Sequence, residues 1–236
     1  MRIGIICEGH SDRAVIENIL KGIIDIDSND LVALRPQNLF DETDLYLKKD
    51  IEFSNWSLVK LECEKKELIE DFLSTDGDFI VVHLDTAEAD EYSVSRPVKI
   101  KGNHSYCIDL RKNVVTKIDE WIENQLLIDR TIHAVSIEEM DAWVLTNYYD
   151  KSTCSSVSPK EKLQYELGRK KISSIINYDN YKELSSDFTS KKKVKKGNYL
   201  AKNCSLELFV QEAKSKIGIS QLNLLKINES FPDSFP

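Results

Sequence analysis

Along the first 140 or so positions, short β-branched apolar blocks alternate with longer segments whose apolar residues recur at helical spacing. Arg2 to Cys7 is continuous and β-branched, the pattern of a strand buried on both faces of a parallel sheet. Ser11 or Asp12 then offers a short oxygen side chain able to cap a helix. Ala14, Val15, Ile16, Ile19, Leu20, Ile23 and Ile24 give that helix one buried stripe. Leu31 to Leu34 predicts a second strand, closed by Pro36. Further on, Leu68, Ile69, Phe72 and Leu73 fit a helix, whereas Trp56 to Cys63 fits a strand or a helix. The stretch STDGD is a turn by composition and launches FIVVHL, residues 79–84, the strongest strand signal in the chain.

After Asp85 the chain turns polar from Thr86 to Asn103, with Pro97 and Gly102, which predicts a long loop or insertion. Val114 to Leu127 reads as an amphipathic helix, and Thr131 to Ile137 as a strand running into SIEEMDAW. From about Thr153 no strong strand signal remains. Helices are predicted around Pro159 to Lys171 and Leu206 to Ile217, and residues 231–236 read as a tail. The pattern predicts an α/β domain over residues 1–150, with a mainly parallel sheet flanked by helices and an insertion at about 86–103. An α-helical C-terminal extension follows over 151–230. There are no repeats.

Three of the predicted strands end in acid: Glu8 after IGIIC, Asp85 after FIVVHL, and Glu138, Glu139 or Asp141 after TIHAVSI. In a parallel sheet all carboxyl ends open on one side, where ligands bind. Carboxylates gathered there repel one another and raise each other's pKa unless a cation lies between them. Hard oxygen donors suit Mg²⁺ or Mn²⁺, which keep several waters and can hold a phosphate. The plainer alternative for any single acid is a helix N-terminus, where the dipole favours negative charge.

IICEGHSD, followed by FIVVHLDTAEAD, resembles the Toprim domain shared by topoisomerases, primases and the nucleases of the OLD (overcoming lysogenization defect) group. That family has a glutamate after its first strand, with glycine beside it, and a later strand ending in an Asp-x-Asp pair. The resemblance covers about 145 residues and implies a Rossmann-like sheet. It places Glu8 at the glutamate, Gly9 at the turn and Asp85 at the first aspartate. The second aspartate falls on Ala87, so Glu88 or Asp90 would have to supply the missing ligand. IEEMDAWVL is similar to a Glu-x-Trp-Leu-Leu helix of Toprim-like proteins from phage-defence and mobile-element loci. It puts Asp141 in the acid's place and Trp143 inward.

The resemblance implies metal-dependent hydrolysis of phosphodiester bonds, with Glu8 and Asp85 as the catalytic pair, Glu8 handling the proton and also contacting the metal. Asp85 is then the principal ligand of Mg²⁺ or Mn²⁺, and Glu88, Asp90 and Asp141 complete the candidate shell. A divalent cation neutralises phosphate charge and acidifies a bound water. It also implies a separate ABC-type ATPase partner, as defence Toprim proteins work with one. Topoisomerase action would need a nucleophilic tyrosine, and nothing marks Tyr148, Tyr149 or any other. The alternative is a catalytically lapsed Toprim-like module that binds nucleic acid or protein, which Ala87 favours.

Composition adjusts this picture in a few places. The chain has 236 residues, 41% hydrophobic and 31% charged, with net charge −8. That supports a sizeable core and argues against coating nucleic acid by bulk electrostatics. A local exception is TSKKKVKKGNYLAKNC, where Lys191, Lys192, Lys193, Lys195 and Lys196 could contact phosphates and Tyr199 could stack on a base. The ordinary reading of such a run is a solvated loop. The odd, dispersed set Cys7, Cys63, Cys107, Cys154 and Cys204 predicts a reduced, cytoplasmic protein without a disulfide framework. Neither a signal peptide nor an apolar run long enough for a membrane span is seen. His104 and Cys107 have a His-x-x-Cys spacing without a second pair, which argues against zinc. His83 reads as a core histidine, and His10 is placed to touch a phosphate. The absence of a Gly-x-x-x-x-Gly-Lys loop excludes a P-loop ATPase.

Overall fold

The computed structural model describes residues 1–36, 55–99, 105–154 and 156–229, the last eleven by their helical backbone alone. Four parallel strands form the sheet: β1 (Ile3–Ile6), β2 (Leu31–Arg35), β3 (Phe79–Asp85) and β4 (Thr131–Ser136). Their spatial order is β2-β1-β3-β4, with Ile3 opposite Leu31 on one side and Phe79 on the other. The chain therefore lays β2 against one edge of β1 and returns to add β3 against the other. The order reverses between β1 and β3, and their carboxyl ends flank that crevice.

Strand alternation divides the core into two layers. Ile3, Ile5, Phe79, Val81, Ile132 and Ala134 face one, and Ile6, Ile80, Val82, Leu84 and Val135 the other. The first layer is closed by α1 (His10–Ile23). The second is closed by α2 (Trp56–Lys65), α3 (Glu67–Thr75) and α4 (Ser105–Ile122). The segment left open between strand and helix, residues 56–63, is thus helical; Asn55 caps it by accepting from Leu58 N–H at 3.1 Å. The helix expected over 114–127 begins earlier and stops at Ile122. There Glu123 takes φ 50° and Asn124 starts the short α5 (Gln125–Asp129) by accepting from Leu126 N–H at 3.0 Å.

The chain after β4 forms α6 (Asp141–Val144), α7 (Pro159–Arg169), α8 (Tyr178–Leu184), α9 (Lys191–Gly197), α10 (Tyr199–Lys202) and α11 (Cys204–Glu229). These helices do not form a separate body. Leu163, Leu167, Tyr181, Leu184, Phe188, Leu206, Phe209 and Val210 enter the same core layer as β1 and α1. Gly22 shows how close the approach is. A Cβ there would lie 1.8 Å from the Phe188 carbonyl oxygen, so only glycine lets the 186–189 turn sit on α1.

The outer edge of β4 is covered by side chains of α4 and α11. Glu212 accepts from His133 N–H at 3.2 Å, Arg111 donates to the His133 carbonyl at 3.1 Å, and Lys216 reaches the carbonyl of Thr131. These bonds satisfy backbone groups that an open edge would leave bare. No helix among the described residues is long and apolar enough to cross a membrane. The predicted tail, 231–236, lies outside the described residues.

Candidate functional site

Glu8 follows β1 by two residues and Asp85 is the last residue of β3, so neighbouring parallel strands deliver both to the same rim. The Asp85 N–H donates to Glu8 Oε1 at 2.8 Å, which fixes the glutamate against the end of β3. The Asp85 carboxylate is held in turn by the Ala87 N–H, at 3.0 Å to Oδ1. Asp12 lies in the first turn of α1 and accepts from Gly9 N–H, closing the turn between β1 and the helix. Asp141 opens α6, and Tyr181 from α8 donates to its Oδ1 at 2.6 Å. Glu139 accepts from the Lys160 N–H at the start of α7, 3.2 Å away.

These carboxylates act on one another. Burial pushes Glu8 well above the usual glutamate range, and the charges of Asp85, Asp12 and Glu88 push it further. Burial also raises Asp12 well above its usual value, with Asp85 and Asp141 adding to it. Asp85 is pushed up to about 7, chiefly by burial, against the lowering effect of the Ala87 hydrogen bond and with Glu139, Glu88 and Asp141 adding to the rise. Burial raises Glu139 and Asp141 as well, against the opposing pull of Lys160. Six carboxylates therefore share one field, opposed at its margin by Lys160 beside Glu139 and Asp141. Their donors are oxygens only. The nearby Cys7 thiol is held protonated by its burial and by Asp12. An all-oxygen set suits a hard divalent cation such as Mg²⁺ or Mn²⁺ in donor type, but no three of these carboxylates bring their oxygens within 4.8 Å of one another, so the rim would have to draw in to close a coordination shell.

The polar stretch after Asp85 is built onto this rim as far as residue 99. Tyr92 donates to the Asp85 carbonyl at 2.6 Å, and Ala89, Tyr92 and Val94 are buried in the second core layer. Thr86 is buried and accepts from Glu138 N–H at 2.7 Å. Arg96 ties the turn together through the carbonyls of Thr86 and Ala87 and an ion pair to Glu138 at 3.4 Å.

Of the residues expected at the site, the structure brings together Glu8, Asp85, Glu88 and Asp141. Asp90 stands apart. It is exposed, and its carboxylate is taken by Arg96 at 3.1 Å. Glu138 pairs with the same arginine. Neither Ser11 nor Asp12, the expected caps, is the N-cap of α1, which is Gly9; Asp12 sits inside the first turn, accepts from the Gly9 N–H and belongs to the acid cluster. Trp143 is fully buried, stacks on Phe209 with ring centroids 5.4 Å apart, and donates to Ser205 Oγ at 2.8 Å. His83 is a core residue whose Nε2 lies 3.1 Å from Ser136 Oγ, and burial lowers its pKa to about 3. His10 opens α1 beside Gly9. His104 lies outside the described residues.

The lysine run does not join this rim. It forms α9, and Lys191 and Lys195 line a cavity of about 300 Å³ with Gly22, Ile23 and Lys214 at the far end of α1. Asp12 and Gly22 are ten residues apart on one helix, which is about 15 Å of axis. Lys193 is committed to Asp187 at 2.7 Å, while Lys192 and Lys196 are exposed. Tyr199 is buried rather than free to stack on a base. Its hydroxyl donates to Asp187 at 2.9 Å and its ring meets Phe188 edge-on. A cavity of about 420 Å³ is lined by Tyr148, Tyr149, Asp150, Lys151, Glu166, Arg169 and Lys170, with Arg169 paired to Glu166 at 3.3 Å.

The expectation of unpaired cysteines also fails. Cys154 and Cys204 form a disulfide, because the turn after α6 lies against the start of α11 although 50 residues separate them in sequence. Cys7, Cys63 and Cys107 are free and buried.

Comparison with family models, with characterised proteins and with solved structures finds no significant match to this chain.

Proposed function

We propose that the protein is a divalent-metal-dependent phosphodiesterase acting on nucleic acid, a nuclease of the Toprim type. The observation that carries this reading is the meeting of Glu8, Asp12, Asp85 and Asp141 at the carboxyl ends of β1 and β3, where the strand order reverses. Open α/β sheets bind their ligands at such a place. Asp85, Asp12 and Asp141, with Glu88 and Glu139 at the margin, would hold Mg²⁺ or Mn²⁺. When bound, the cation neutralises phosphate charge and acidifies a water.

The chain's own contribution is proton handling. Glu8 Oε1 accepts the Asp85 N–H, while burial and its acidic neighbours raise Glu8 well above the usual glutamate range and so favour its protonated form. This is the state a general acid requires. The exposed lysines of α9 offer a contact for a long polyanion, about a helix length from the acids. A role in phage defence or mobile-element maintenance, together with a separate ABC-type ATPase partner, belongs to the same reading.

Cleavage of plasmid, single-stranded DNA and tRNA should require Mg²⁺ or Mn²⁺ and fall at least about a hundredfold in Glu8→Gln and in Asp85→Asn. Activity that survives both substitutions refutes this site. One observation favours a second reading. Ala87 is exposed and offers Asp85 only its N–H, where an Asp-x-Asp pair would offer a carboxylate. A catalytically lapsed module would be stabilised by Mn²⁺ and bind nucleic acid without cutting it.

A further inference from the structure

Three cysteines from separate elements converge on the side of the molecule where α4, α6 and α11 meet. Cys107 is in the first turn of α4, Cys154 lies in the turn after α6, and Cys204 is the first residue of α11. Their sulfurs all lie within 4.8 Å of one another. Cys107 and Cys154 are 0% and 2% exposed, and Cys204 is partly exposed. A disulfide accounts for two of these sulfurs, and the third, Cys107, is a free buried thiol beside them.

The cradle does not depend on the sulfur–sulfur bond. Thr153 N–H donates to the Lys202 carbonyl at 2.8 Å, and Thr153 Oγ1 donates to the Ala142 carbonyl at 2.8 Å. Asn203 Nδ2 donates to Thr153 Oγ1 at 3.0 Å and to the Ala142 carbonyl at 3.3 Å. Both cysteine-bearing turns are thus fixed to α6 by buried hydrogen bonds, and Cys107 Sγ–H donates to the Cys154 carbonyl. The Cys204 N–H donates to Cys154 Sγ at 3.1 Å, from the N-terminus of a 26-residue helix. Such donors stabilise a thiolate.

We propose that in the reduced chain Cys107, Cys154 and Cys204 form a three-thiolate site for a soft tetrahedral cation, Zn²⁺ by preference. With Zn–S bonds of about 2.3 Å, tetrahedral geometry sets the sulfurs about 3.8 Å apart; the Cys154 and Cys204 sulfurs must part from bonding distance on reduction, which side-chain rotation allows with the Cα atoms 5.8 Å apart. A water or another donor fills the fourth position. The cation would staple α4 and α11 to the turn after α6. Its hydrogen-bonded frame ends on Ala142, next to Asp141. A small-molecule thiol reductant supplies two electrons and two protons that convert the Cys154–Cys204 disulfide to two thiols, and the cation then displaces the protons of the three thiols; only this reduced state binds metal. This inference is independent of the acid cluster, whose oxygens select a different class of ion.

Co²⁺ titrated into the reduced full chain without oxygen should produce a thiolate-to-cobalt charge-transfer band that saturates at one equivalent and bleaches on adding Zn²⁺. Cys107→Ser and Cys204→Ser should each weaken binding at least about tenfold, whereas Cys63→Ser should keep the band. X-ray absorption of the zinc-loaded wild-type chain should count three sulfur neighbours, a reading independent of whether any variant folds. A wild-type chain with five free thiols and no band would overturn the site. So would a band unaffected by both serine substitutions, or a zinc shell without sulfur.

Discussion

Replacing Asp85 with Asn should stabilise the metal-free protein, and more so as pH rises. In the folded chain the Asp85 carboxyl titrates at about 7 rather than 3.8, because burial and the neighbouring carboxylates disfavour its charge. At about 1.36 kcal/mol per pH unit, that displacement amounts to about 4 kcal/mol. The sign follows from proton binding. Below pH 3.8 both states are protonated and the group contributes nothing. Between 3.8 and 7 the unfolded chain loses its proton while the folded chain keeps it, so stability falls. Above 7 the full penalty stands. From about pH 5 to pH 8 the loss attributable to Asp85 is about 3 kcal/mol. Asn keeps an oxygen for the Ala87 N–H but carries no charge. Urea unfolding in the presence of a chelator should therefore show the variant more stable than wild type by up to about 4 kcal/mol at pH 8, the two converging towards acid. Mn²⁺ at a hundred times its Kd should add about 2.7 kcal/mol to the wild type and much less to the variant. The difference between the two proteins is the quantity that decides, since other groups also titrate in this range. Parallel pH profiles, or a variant less stable at pH 8, would refute a strained acid cluster at the strand ends.

Gly22→Ala should destabilise the fold by at least about 2 kcal/mol, because the new methyl meets the Phe188 carbonyl backbone, and the loss would register in the same urea midpoint. At the edge of β4, burial alone would lower His133, but its hydrogen bonds to Asp119 and Glu212 raise it; Glu212, despite burial, is lowered to about 2 by His133 and Arg111. Stability from His133 is present below its usual pKa and lost as pH rises through the folded value, while that from Glu212 is lost as pH falls below 4.5 towards 2. Glu212→Gln should thus flatten the acid limb of the stability curve and cost about 3 kcal/mol near pH 6, where it leaves a buried charge unpaired. Exchanging Lys191, Lys192, Lys195 and Lys196 for glutamate should weaken retention of nucleic acid and lower its salt dependence, yet leave Mn²⁺ stabilisation unchanged. Unchanged retention at modest salt would remove this face from nucleic-acid binding.

Much of the architecture was legible in the sequence because strand and helix signals are local. Continuous β-branched blocks such as 3–6 and 79–84 are buried on both faces only inside a covered parallel sheet, and α1 shows its stripe directly. The acids after those blocks could be picked out for the same reason: a strand's carboxyl end is readable from where its apolar run stops. Where the signals were weak, as over residues 56–63, capping and packing decided in favour of helix.

What the tertiary structure alone decided is adjacency. That β3 lies beside β1, and so puts Asp85 N–H on Glu8, follows from strand order, which no local pattern encodes. Asp12 looks like an ordinary cap until the end of β3 arrives next to it. The lysine run reads as a phosphate contact or a solvated loop, and only the packing of α9 against the C-terminal end of α1 sets it a helix length from the acids. Cys107, Cys154 and Cys204 are scattered along the chain, and only the docking of α11 against α4 and the turn after α6 makes them a cluster. Side-chain periodicity depends on neighbours a few bonds away, whereas a site depends on which distant elements share a face. The chain commits to that choice only when its core closes.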